Sequence, residues 1–145
     1  MRAVVGAALL ASALGAASQA QAQSYQQVVQ NELAGLASRA REQGFRTQVG
    51  QTITGTLNNG TQTGLTITLV GGGSYVVFAA CDQDCTDIDL RLFAPDGQMI
   101  GEDIETDDRP VIIFTAPTSG TYRLQVMMAT CSQNPCYWGA QVLAR

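Results

Sequence analysis

DIDLRLFAPDG (residues 87–97) alternates with a period of two and then turns. Ile88, Leu90 and Leu92 fall on one face and Asp87, Asp89 and Arg91 on the other. That is the pattern of a strand with one buried and one wet face. Ala94-Pro95-Asp96-Gly97 follows, with proline pre-set at the second position of a turn.

The same grammar runs outward in both directions. Strand candidates are QTITGTL (51–57), TGLTITLV (63–70), SYVVFAA (74–80), QMIGEDI (98–104), RPVIIFTA (109–116), TYRLQVMM (121–128) and YWGAQVLA (137–144). Pro110 opens its run, where a missing N–H is tolerated. Tyr122, Leu124, Val126 and Met128 are expected to point inward, which puts one of Met127 and Met128 in the core. Asn59-Gly60 reads as a hairpin turn, a better account of Asn59-Gly60-Thr61 than a glycosylation acceptor. With Asp87–Phe93 this makes eight short strands in about 100 residues with no long crossover, which predicts an all-β antiparallel β-sandwich.

Upstream the pattern changes. Tyr25, Val29, Leu33, Leu36 and Ala40 share one face at helical spacing. Ser24 with Gln27 reads as a capping box, and Gly44 as the residue that ends the helix. Gly35 weakens its middle by about 1 kcal/mol. The stripe must pack on something, either the chain's own sheet or a partner. Before the helix, Arg2 and the small-residue run Ala3–Ala17 lead to Ala20-Gln21-Ala22, an A-x-A cleavage pattern. The run is too short and too alanine-rich for a membrane span of about 20 strongly apolar residues. The expected organisation is a signal peptide over 1–22 cut after Ala22, a helix over 23–44 and a sandwich over 45–145. The destination is the periplasm or the outside medium, without stable membrane insertion after cleavage.

The chain of 145 residues carries 8 Lys+Arg, all arginine, and no histidine, for a net charge of −4. Loss of Arg2 on cleavage takes this to −5. No basic patch exists for nucleic acid. Without histidine or lysine there is no Ser-His-Asp triad, Cys-His pair or Schiff base. A carboxylate-based hydrolase is the remaining catalytic reading, and no aromatic residues cluster with acids to support it. The expectation is a non-enzyme that binds a protein or an extracellular polymer. An assembly role through the helix is the alternative.

Four cysteines, Cys81, Cys85, Cys131 and Cys136, suit an oxidising compartment. Spacing favours the pairs Cys81–Cys85 and Cys131–Cys136; cross-pairing requires both loops at one end of the domain. Zinc is the rival reading. Residues 81–108 hold ten carboxylates, and the chain has twelve. Asp84, Asp87 and Asp89, completed by Asp107 and Asp108 with Glu105, form a candidate calcium set. The competing reading is turn chemistry, in which aspartate bonds its own backbone. Trp138 reads as core, or as a ring that stacks on a sugar.

Three stretches together resemble the bacterial pre-peptidase C-terminal domain: Asp87-Ile88-Asp89-Leu90, the Asp96-Gly97 turn, and Ser119-Gly120-Thr121-Tyr122. The resemblance covers roughly residues 50–145. It implies a jelly-roll-like sandwich that is non-catalytic, and relatives that bind collagen, insoluble polymers or calcium near the Asp-x-Asp strand. In that family the domain trails an enzyme. Here a leader and one helix precede it, so a stand-alone binding or assembly protein is expected.

Overall fold

A computed structural model describes residues 11–145, with side chains from Ser18 onward. Met1–Leu10, with Arg2 and the first part of the apolar run, lies outside the described residues. The chain forms a helix, α1 (Ala11–Glu42), and nine strands: β1 (Thr47–Gln48), β2 (Ile53–Leu57), β3 (Gln62–Leu69), β4 (Ser74–Cys81), β5 (Cys85–Phe93), β6 (Met99–Asp103), β7 (Val111–Thr115), β8 (Gly120–Cys131) and β9 (Cys136–Ala144). One sheet has the order β1-β9-β4-β7, with β2 also on β9; the other is β3-β8-β5-β6. Every pairing is antiparallel. The predicted sandwich is the observed fold.

The alternating runs face as expected. Ile88, Leu90, Leu92, Tyr122, Leu124, Val126 and Met128 are all fully buried between the sheets. The ninth strand, β1, escaped the sequence because two residues carry no period; it extends the edge on β9 that β2 occupies further along. Asn59-Gly60 does turn the chain, with Gly60 at φ 71°. It is not a hairpin, however: β2 belongs to the first sheet and β3 to the second. The turn crosses between layers.

β4 explains why there is a third layer. Ser74–Cys81 is an unbroken small and apolar run, buried at every residue after Ser74. Tyr75, Val77, Ala79 and Cys81 face the second sheet, while Val76, Phe78 and Ala80 face out. A strand apolar on both faces needs cover on both. α1 supplies it: Val29, Leu33, Leu36, Ala37 and Ala40 pack with Val76, Phe78, Ala80, Leu143 and Phe45. The helical stripe therefore rests on the chain's own sheet, and its apolar face is not free for a partner.

The helix ends as expected. The Phe45 N–H donates to the Ala40 carbonyl at 3.0 Å and the Gly44 N–H to Arg41 at 3.0 Å, with Gly44 at φ 96°. This is a Schellman ending. Its start differs from the expectation: helix continues back to Ala11, so Ser24 is an interior residue rather than a cap. The alanine- and glutamine-rich stretch 11–23 has high helix propensity and needs no start signal at Ser24. Gln27 bonds Asn31 one turn on, at 3.0 Å, instead of reaching back. Gly35 is exposed with open space around a built Cβ. Gly35→Ala is expected to raise stability by about 1 kcal/mol, read as a higher denaturant midpoint at unchanged slope.

Candidate functional site

Both disulfides form, in the local pairing. Cys81–Cys85 and Cys131–Cys136 have Cα separations of 5.9 and 6.0 Å, ordinary for the bond. Each closes a turn that crosses between the sheets: β4 to β5, and β8 to β9. Neither turn is a hairpin. Cys85 lies opposite Cys131 in one sheet, and in the other Cys81 is opposite Trp138 and Leu57 opposite Cys136. The two bridges therefore staple the two layers at the same end.

Another crossing turn, 58–61, joins them. Asn59 Oδ1 accepts the Cys131 N–H at 2.8 Å, and Asn134 Oδ1 accepts the Asn59 N–H at 2.7 Å. The Asp84 carbonyl accepts both the N–H and the hydroxyl of Ser132, at 2.8 and 2.9 Å. Beneath lies Asp82, 2% exposed. Its carboxylate accepts the Asp84 N–H at 3.0 Å and the Tyr137 N–H at 2.6 Å. Its own N–H donates to the Tyr137 carbonyl at 3.0 Å. Burial pushes this carboxyl above the ordinary 3.8, against the lowering effect of the N–H bonds it accepts.

Gln83, Ser132, Gln133, Asn134, Pro135, Asn58, Asn59 and Gly60 remain exposed on top of this frame. Tyr137 stacks on Tyr25 of α1, with centroids 6.0 Å apart. The Tyr25 hydroxyl bonds Asp84, the first cause of its pKa lying above 10.0. A rigid loop cluster rich in Tyr, Asn, Gln and Ser offers aromatic contact area with adaptable hydrogen bonds. Asp82, Asn59 and Tyr137 went unseen as site residues in the sequence. The available signal was their position: each lies within or next to a disulfide loop or the Asn59-Gly60 turn.

The five predicted metal ligands do not converge. Asp84 belongs to the stapled end. Asp108 accepts from Arg109 Nε at 3.0 Å. Asp87 and Asp89 point out from β5, and the loop after β6 brings Asp107 beside Asp87, where the Ile88 N–H donates to the Asp107 carbonyl at 3.0 Å. Desolvation raises the Asp87 carboxyl, helped by the Asp107 charge; desolvation and then the Asp87 charge raise Asp89. Asp87 Oδ1 is buried and takes no hydrogen bond. Among the described residues no group of three or more His, Cys, Asp or Glu is placed to hold a metal ion. A hard cation that needs six to eight oxygens is poorly served by this set.

Turn chemistry accounts for four of the ten acids in the stretch. Asp82, Asp96, Asp103 and Asp107 each use Oδ1 to accept the N–H two residues on, at 3.0, 3.0, 3.3 and 2.8 Å. These four aspartates serve the backbone of their own turns. Glu102 pairs with Arg91 across the β5–β6 ladder at 3.3 Å.

Trp138 is 3% exposed in the core between the sheets. A Cβ on Gly55 would sit 3.2 to 3.3 Å from its indole, so the ring lies against bare backbone. It offers no face for a sugar. The core reading holds.

No family model and no curated protein matches the sequence. Among solved structures, the chain is similar to PliG of Aeromonas hydrophila, a periplasmic lysozyme inhibitor of g-type lysozyme: TM-score 0.53, 17% identity, 68% of this chain and 88% of that one. It is also similar to the pre-peptidase C-terminal domain of a Bacillus anthracis collagenase: TM-score 0.52, 14% identity, 65% of this chain and 89% of that one. At these identities the likeness is one of fold, and it is the sandwich that the strand and turn motifs imply.

Proposed function

We propose that this chain is an exported, non-catalytic β-sandwich module that binds a protein through its stapled end. The observation that carries the reading is the joining of three sheet-crossing turns by two disulfides and the Asn59, Asn134 and Asp82 bonds. Such a frame holds exposed polar side chains at low entropic cost on binding. Burial of Trp138 removes the chain's one indole from any polymer-binding face. PliG, a lysozyme inhibitor on the same fold, supports protein recognition by such a sandwich. Export is supported by the disulfides and the leader-like N-terminus; among the described residues no helix is long and apolar enough to cross a membrane.

The test has two parts. Mass spectrometry of the exported protein should find Gln23 as its first residue. Cross-linking in the native envelope should then capture a protein partner with the wild type and with Asp96→Arg. The turn holding Asp96 joins β5 to β6 and lies at the far end of β5 from Cys85. The double variant Gln83→Arg, Gln133→Arg should bind that partner about ten-fold more weakly. Equal capture by both variants, or no partner at all, would remove the stapled end from the reading.

A further inference from the structure

Among the described residues β7 is the last strand of its sheet and pairs only with β4. The Ala79 N–H donates to the Pro110 carbonyl and the Ala116 N–H to Gly73. That parity turns residues 110, 112, 114 and 116 toward β4, and Val111, Ile113 and Thr115 toward the open edge. Asp103 Oδ2 accepts the Val111 N–H at 2.8 Å. Among the described residues nothing takes up the N–H or carbonyl of Ile113. The edge is also greasy. Val111 and Ile113 are 38% and 57% exposed. Proteins ordinarily blunt such an edge with charge or proline.

Val111 and Ile113 share the face of Phe78 and Val76, their partners on β4, but α1 does not reach across to cover them. A groove of about 420 Å³ runs between helix and edge, lined by Leu36, Arg39, Val76 and Ile113 and also by Asp107 and Asp108. Its charge is polar along its length. At the start of β7, Arg109 is held by Asp108 and Glu32 at 3.0 and 3.3 Å. Further along, Arg39 makes no ion pair among the described residues. α1 runs from Glu32, beside Arg109, to its end near Arg145, whose N–H donates to Ser74 opposite Thr115. Arg39 lies two helical turns beyond Glu32, about 10 Å further along the groove from the residue that holds Arg109 and toward Ile113.

We infer that this edge and groove dock an extended peptide that pairs antiparallel with β7, placing a small apolar side chain beside Ile113 and an acidic one, two residues earlier, beside Arg39. The backbone of Ile113 gives two hydrogen bonds, the groove takes the apolar residue, and the free arginine selects the charge. The acid belongs on the N-terminal side because an antiparallel strand carries that side toward Thr115, away from the acidic end. The surface is separate from the stapled end, so either reading can fail alone.

The probes are Ac-Thr-Glu-Thr-Val-Thr-Val-Thr-NH2 and the same peptide with Lys for Glu, titrated into the exported protein and followed by amide NMR. The acidic peptide should shift the Ile113 amide, slow its exchange and bind about five-fold more tightly than the lysine peptide. Arg39→Glu should reverse that preference. Ile113→Pro should abolish binding with the fold intact, because the lost N–H faces outward and not into the β4 ladder. Equal binding of both peptides, binding unchanged in Ile113→Pro, or no binding would overturn the inference. So would dimerisation without peptide that Ile113→Pro removes, which assigns the edge to a second copy.

Discussion

Leu33→Ala is expected to lower the stability of the protein by about 3 kcal/mol, with a fall in Tm of roughly 10 °C. Leu33 is 1% exposed at the centre of the helix–sheet interface. A Cβ on Gly139 would lie only 2.7 Å from its Cδ1 and 3.1 Å from Val29 Cγ1. The glycine lets the helix sit directly on the β9 backbone, and truncating Leu33 leaves a void that neither rigid element can close. The loss counts fully because α1 covers Val76, Phe78 and Ala80 on a strand with no wet face. Urea unfolding followed by tryptophan fluorescence reads it. Trp138 lies on the opposite face of β9, so a single shifted transition would also show that helix and sandwich unfold together. A loss below about 1 kcal/mol, or two transitions, would mean that the helix is a loosely attached segment.

The sandwich was legible because its strands mostly have one buried face. Alternation in Asp87–Phe93 and Thr121–Met128 specifies both the strand and its inner residues. The helix was legible as amphipathic, but its cover was not: two readings of the stripe remained open because a stripe does not say what it meets. The missing clue lay in Ser74–Cys81, whose unbroken apolar run requires a layer on each side. Sheet assignment was illegible for a related reason. A turn signal such as Asn59-Gly60 fixes a reversal of the chain, while the choice between a hairpin and a step to the other layer depends on which neighbours hold the edges. At the candidate site the cysteine pairs were readable from spacing. Joining their loops needs Asn59 to reach Asn134, 75 residues away, and no local pattern encodes that. The acidic stretch left two readings open for the opposite reason: four separate Asx turns look, in one dimension, like one ligand set.

Asp82→Ala should cost about 2 to 3 kcal/mol, and Asp82→Asn less than half of that. The carboxylate sits inside the Cys81–Cys85 loop and satisfies the N–H groups of Asp84 and Tyr137. Removing both acceptors strands two donors at the join between disulfide loops, and an orphaned buried N–H costs about 1 to 3 kcal/mol. Asparagine keeps one acceptor. The same residue sets a pH dependence opposite to ordinary acid unfolding. Its folded pKa is raised, as are those of Asp87 and Asp89, so at moderately acid pH the folded state binds more protons than the unfolded chain. The stability tied to these groups is fully present below the ordinary 3.8 and is lost as pH rises through their raised folded values. These groups should therefore favour the folded state more near the ordinary 3.8 than at about pH 7.5, and the difference in Tm between those conditions should change when Asp87 is replaced by Asn, which removes the cost of its orphaned, desolvated charge. A pH dependence of Tm that is identical with and without Asp87 would mean that paired carboxylates, rather than desolvated ones, control it.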